Sequence, residues 1–292
     1  MIRRRKPRGW ANTAAATGWS ESTFAELAWD RSRGAAMRWG ILGAVVGLLV
    51  ALVLFAPAAW LARALASATG EHLLLADARG TVWSGSAVAV LTGGPGSRDA
   101  SALPGRLEWT LVPAGLGLEL RLRQACCLNG NAVLAIRPGL GRVTVALQPG
   151  AEWIGRWPSA WLGGLGTPWN TLQMGGSVRL VSPGIAVESV QGRWRLTGRA
   201  DIELQDVSSR LSTLDTLGSY RLTVSGDPSG AAQLTLGTQQ GTLQLSGSGS
   251  IAPGGVRFRG EARAAEGGEA ALANLLNIIG RRDGARSVIS IG

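Results

Sequence analysis

The chain has 292 residues, 46% hydrophobic and 16% charged, where an average soluble domain carries roughly 25% charged residues; this balance points to a membrane component. Net charge is +10, from 29 basic and 19 acidic side chains, and every base except Lys6 is an arginine. A single histidine, His72, and two adjacent cysteines, Cys126 and Cys127, exclude a four-ligand zinc site, and without a G-x-S-x-G elbow a serine–histidine hydrolase is excluded too, leaving His72 as a lone base at most.

Residues 1–38 read as a basic cytoplasmic tail carrying Arg3, Arg4, Arg5, Lys6, Arg8, Arg31, Arg33 and Arg38. Thr23-Phe24-Ala25-Glu26 fits a capping box that opens a short helix towards the membrane. Trp10, Trp19, Trp29 and Trp39 recur at spacings that match neither a helix nor a strand. The uncharged run 39–62 covers about 36 Å as a helix, enough for the ~30 Å hydrocarbon core. Trp39 and Trp60 lie near its two ends, bracketed by Arg38 and Arg63, as interface anchors do. The excess of bases before the run places the N-terminus in the cytoplasm and residues 63–292 across the membrane. A cleaved signal peptide has an apolar region of only ~7–15 residues, so an uncleaved signal anchor is the reading for this longer run.

Beyond Gly70 the dominant signal is period-two alternation, the mark of strands with one apolar face. In the stretch 116–123, Leu116, Leu118, Leu120 and Leu122 alternate with Gly and charged residues. Further strands read at 142–147, 176–180, 193–196, 220–224, 232–236, 241–245 and 256–259. Turn signals separate them at Arg137-Pro138-Gly139, Gln148-Pro149-Gly150, Ser182-Pro183-Gly184, 226–230 and 252–255, and such short connections predict antiparallel neighbours. Two segments break the pattern. Trp153, Trp157 and Trp161 recur every four residues around Pro158, which predicts a short helix opening at that proline. From Glu269, the residues Leu272, Leu275, Leu276 and Ile279 form one apolar helical face that ends at Gly280.

The predicted architecture is therefore mainly β: one N-terminal transmembrane helix, then a long curved antiparallel sheet with one or two short helices. Two helices leave much of the sheet's apolar face without cover. Two readings follow, an apolar groove running along Leu116, Leu118, Leu120 and Leu122 that takes acyl chains or a partner's extended segment, and a closed, filled core. For Cys126–Cys127 three states stand open: a strained vicinal disulfide, an intermolecular bridge, and two free thiols. Positive charge outside the tail is scattered, with no cluster that marks a nucleic-acid partner, and no cofactor motif is present.

Three segments carry a family resemblance: Gly80-Thr81-Val82-Trp83-Ser84-Gly85-Ser86-Ala87, Leu103-Pro104-Gly105-Arg106-Leu107-Glu108-Trp109-Thr110-Leu111, and the C-terminal stretch from Leu275 to Gly292. In their order and spacing the chain resembles the type II secretion system protein N family, which is related to AsmA-like periplasmic β proteins. The resemblance implies a trough-like sheet in the periplasm and a single-pass inner-membrane protein. It implies a noncatalytic accessory role with other type II secretion components as partners, and supplies no catalytic, cofactor or metal residues. The alternative function is an AsmA-like one, binding or transferring lipid in the periplasm.

Overall fold

The computed structural model describes residues 37–150, 152–226, 230–252 and 255–292. The Thr23–Glu26 capping box, Trp10, Trp19 and Trp29, and the centres of the two turns expected at 226–230 and 252–255 lie outside them. The chain divides into two compact units, Met1–Phe55 and Ala56–Gly292.

The first unit contains helix α1 (Met37–Leu54), with a mean hydropathy of 2.2 and none of its residues buried. Its 18 residues cover about 27 Å, close to the hydrocarbon thickness. The uncharged run 39–62 is not one helix, however. The helix ends at Leu54, and Pro57, in extended backbone at φ −69° and ψ 145°, caps a second helix, α2 (Ala58–Ala68). Proline has no N–H to donate and its ring clashes with the carbonyl four residues back, so the predicted span is corrected at this point. Arg38 and Trp39 lie on α1, whereas Trp60 and Arg63 lie on α2 in the second unit.

The second unit is built on a 16-stranded antiparallel sheet. Its strands are β1 (Leu73–Gly80), β2 (Ser84–Thr92), β3 (Ala100–Ala102), β4 (Leu107–Ala114), β5 (Gly117–Arg123), β6 (Asn131–Gly139), β7 (Arg142–Leu147), β8 (Gly155–Pro158), β9 (Met174–Val190), β10 (Arg193–Ser209), β11 (Gly218–Gly226), β12 (Ala232–Gln240), β13 (Leu243–Ala252), β14 (Gly255–Ala264), β15 (Arg281–Asp283) and β16 (Arg286–Ile291). Order along the sheet follows the chain except that β16 lies between β14 and β15, while β3 pairs with β2 and β8 with β9 off the main path. A 3-10 segment at Ser159–Leu165 and helices α3 (Trp169–Leu172) and α4 (Glu269–Ile279) complete the unit. The sheet is open: β1 and β15 are its ends.

The 17-residue strands β9 and β10 form its spine. One half of β9, Ile185–Val190, receives β7, and the other, Ser177–Leu180, receives β8. Ser182-Pro183-Gly184, predicted as a turn, instead forms a bulge inside β9, where the register skips from Val181 to Gly184 opposite Asp201 and Arg199. Ser182 Oγ donates to the Arg199 carbonyl at 2.7 Å and accepts from Gly184 N at 3.1 Å. Proline is tolerated inside a strand at such a bulge because no ladder donor is needed there. Arg137-Pro138-Gly139 likewise continues β6, and the reversal falls at Leu140–Gly141.

The largest core lies between α4 and β9–β14. Leu272, Leu275 and Leu276 are at most 1% exposed and pack on Val207, Leu217, Tyr220 and Leu243; burying each leucine contributes roughly 1.5–3 kcal/mol. Ser287 on β16 donates its hydroxyl to the Leu276 carbonyl. Gly280 ends α4 as predicted, but at φ −165° in extended backbone. Glycine is needed there because a Cβ would run into the Val288 carbonyl.

Charges occupy the opposite face. Glu203, with its side chain 7% exposed, accepts from Arg179 at 2.6 Å and Arg221 at 2.8 Å on the flanking strands. Asp201 accepts from Arg199 at 3.0 Å and from the Thr223 hydroxyl at 2.6 Å. Burial pushes both carboxyl groups up, but the hydrogen bonds and nearby guanidinium charges outweigh it and hold them below their ordinary range. Groups depressed in this way stabilise the fold fully above their unfolded pKa, and that stability is lost as pH falls through the folded value. Glu203→Gln is therefore expected to cost about 1–3 kcal/mol at neutral pH. Its deficit relative to the parent should shrink as pH drops below about 4.5 and Glu203 itself protonates, which denaturant unfolding of both chains across the acid range checks.

Candidate functional site

The first two resembling segments meet in space. Gly80, at φ +89°, and Thr81 to Ser84 make the reversal from β1 to β2. Thr81 N donates to the Ser84 carbonyl at 2.8 Å and Ser84 N to Thr81 Oγ1 at 3.1 Å. Trp109 on β4 lies across this turn, 3% exposed, its indole N–H shared between the Thr81 and Val82 carbonyls at 3.2 Å each. Gly85 makes room for it, since a Cβ there would lie 2.5 Å from Trp109 Cζ2 and 2.5 Å from the Arg79 carbonyl oxygen. Leu111 N donates to the Trp83 carbonyl at 2.7 Å, and Val82 N to the Ala56 carbonyl at 2.9 Å. Gly80, Thr81, Val82, Trp83, Ser84 and Gly85 thus form a lock that ties the start of α2 to the first strands, with Ala58, Ala87 and Trp109 as its buried centre.

The predicted leucine row separates into three situations. Leu116 sits at the β4–β5 reversal and is fully exposed; alternation carried it into the row, but the strand starts at Gly117. Leu120 and Leu122 pack against the Trp109 cluster. Leu118 is half-buried and in register with Ile136, which pairs with Val145, that with Val187, and that with Leu196. Directly paired residues project to the same side of a sheet, so one apolar face runs from β5 to β10.

That face continues through β11–β14 and β16 to a partly open recess. A cavity of about 390 Å³ lies between the sheet and α4. Leu204, Leu222, Leu236, Leu245, Phe258 and Ile289 supply its sheet wall, and Leu275 and Ile279 its helix wall. The Phe258 ring lies over two glycines, Gly247 and Gly260, whose missing side chains leave room for it. Tyr220 and Ser209 bring hydroxyls to the lining, and both donate to backbone, Tyr220 to Leu243 O at 3.0 Å and Ser209 to Leu172 O at 2.6 Å. Burial also pushes the Tyr220 phenol well above its ordinary range. What the site offers a ligand is apolar contact. The alternating strands that build it were legible, but the residues that matter were not singled out, because nothing local marks the strands that α4 will cover.

Nearby tryptophans serve packing. Trp157 on β8 and Trp161 in the 3-10 segment stack with centroids 6.4 Å apart, and Trp161 Nε1 donates to Ser101 O at 3.0 Å. Both adjoin the core of Ala89, Leu103 and Cys127. Cys126 and Cys127 form a vicinal disulfide, which decides among the three states left open by the sequence. Among the described residues no group of three or more His, Cys, Asp or Glu side chains is placed to hold a metal ion.

The family described as Type II secretion system (T2SS), protein N matches residues 71–289. This range covers three-quarters of the chain and runs from the residues just before β1 into β16. The chain belongs to the type II secretion system protein N family. No curated protein matches it, and no solved structure does. Membership attaches the name to the Gly80–Gly85 lock and to all of the sheet and the cavity lining except the last residues of β16, whereas α1 and α2 precede the matched range.

The lock gives a direct test. Gly85→Ala forces a Cβ against backbone as well as indole, and is expected to cost about 1–3 kcal/mol, or a fall in midpoint of about 2–4 °C per kcal/mol for a unit of this size. Trp109→Phe keeps most of the packing and loses the shared hydrogen bond, so its thermal midpoint should fall between those of Gly85→Ala and the parent.

Proposed function

We propose that this protein N family member is a noncatalytic, single-pass inner-membrane component of type II secretion, with α1 as its signal anchor and the sheet in the periplasm. The observation that carries the reading is the family match over nearly the whole sheet, which follows an apolar helix long enough to cross a bilayer. The basic residues before α1 support a cytoplasmic N-terminus. Arg38 and Trp39 then serve as anchors at the cytoplasmic interface. Trp60 and Arg63, exposed on α2 a few residues beyond the end of α1, serve at the periplasmic one. Other secretion components are the partners. The C-terminal edge offers a place for them, because β15 pairs only with Arg286–Val288 and leaves the outer side of Ile289–Ile291 open for strand addition.

An in-frame deletion in the native host tests this reading. Secreted enzymes are expected to accumulate in the periplasm behind an outer membrane that still excludes detergent, and the full-length chain should restore their release. Normal secretion by the deletion strain defeats the proposal. A C-terminal alkaline phosphatase fusion is expected to be active, and an inactive fusion reverses the topology.

A further inference from the structure

Two recesses meet beside α3. One is the apolar cavity of about 390 Å³. The other is a wider cleft of about 810 Å³, to which Arg98, Asp99, Asn170, Arg210 and Asp215 contribute. Trp169, Met174 and Ser209 line both, so the apolar recess and the charged one adjoin through shared walls.

We propose that the two recesses together bind one phospholipid-class amphiphile, an alkyl chain in the cavity and a zwitterionic head in the cleft. The cavity falls in the ~300–1,000 Å³ range of ligand pockets and is more than twice the ~150 Å³ that accommodates benzene in an apolar core. Its two hydroxyls are already committed to backbone carbonyls, so it selects hydrocarbon and rejects a polar group that would lose its hydrogen bonds to water. The cleft offers the reverse. Arg98, Arg210 and Asp215 are exposed and make no ion pair among the described residues, and Asp99 accepts from Asn170 Nδ2 at 3.0 Å. Two guanidinium groups complement a phosphate, and two carboxylates complement an ammonium. An apolar recess that shares walls with a mixed-charge cleft matches such a lipid from end to end, and a chain with a membrane-length helix has that ligand at hand. The site rests on α1 as an anchor and not on the secretion role, so it is tested without the secretion apparatus.

The full-length chain is reconstituted into vesicles of phosphatidylethanolamine and phosphatidylglycerol. These contain a trace of phosphatidylethanolamine with a diazirine near the end of one acyl chain. After irradiation, peptide mass spectrometry is expected to find adducts on β11–β14 and α4 in addition to α1. Filling the cavity with Leu236→Trp should lower the sheet adducts about ten-fold, the equivalent of 1.4 kcal/mol, without changing those on α1. Arg98→Ala combined with Arg210→Ala alters only exposed side chains and should lower the sheet adducts about five-fold, near the upper end for exposed charge pairs. Excess inorganic phosphate should leave labelling unchanged, because the chain supplies most of the binding. Adducts confined to α1, or displacement by phosphate alone, overturn the proposal, as does parental labelling of the arginine variant. If Leu236→Trp unfolds by circular dichroism, the arginine variant decides.

Discussion

The constraint on which the second unit depends is register. Antiparallel pairing holds Leu118, Ile136, Val145, Val187 and Leu196 in one line across five strands. The same rule carries Leu222, Leu236, Gly247 and Gly260 across the next four. A slip of one residue anywhere would turn the apolar side of that strand to the charged face and the arginines inward. The paired carboxylates resist such a slip from the other side. Glu203 meets Arg179 and Arg221 only when β9, β10 and β11 are aligned as observed, because a nearly buried carboxylate without a partner is costly.

An open sheet of this length leaves its apolar face to be covered by whatever the connections provide, and the cover is uneven. α2 and Trp109 seal the N-terminal strands into a small core, while Trp157 on β8 and Trp161 in the 3-10 segment close a second one. α4 seals only part of the C-terminal half. Beside it the cavity remains, and further along the same face a smaller recess of about 290 Å³ includes Val187, Leu196, Val224 and Ile251. The features that set this protein apart from a filled β-sandwich thus come from a shortage of helices relative to strands.

The boundary between α1 and the sheet is equally physical. Pro57 ends one helix and opens the next. At that point the β1–β2 reversal reaches back to the chain through Val82 N and Ala56 O. The segment Gly80–Gly85 therefore acts as a structural clasp between the first strands and the start of α2. Gly85 is explained by the backbone and indole that crowd it and requires no ligand.

By itself the sequence determined the classes of structure: an apolar helix near the N-terminus, antiparallel strands with one apolar face, and an amphipathic helix from Glu269 that ends at Gly280. Each is written in a local period or a local cap, which is why eight strands were legible wherever apolar and polar residues alternate. β1 was missed because Leu73-Leu74-Leu75-Ala76 does not alternate. β2 was missed because its buried positions, Ala87 and Ala89, are too small to register as an apolar stripe. Only the tertiary structure decided where the apolar run breaks, that Ser182-Pro183-Gly184 is a bulge, and that Leu116 is exposed while Leu120 and Leu122 are packed. Only it placed the cavity beneath α4, with a lining that begins at Pro168 and Trp169, well beyond the leucine row that alternation had picked out. Period reports which side of a strand is apolar, but what covers that side is set by contacts between residues far apart in the chain.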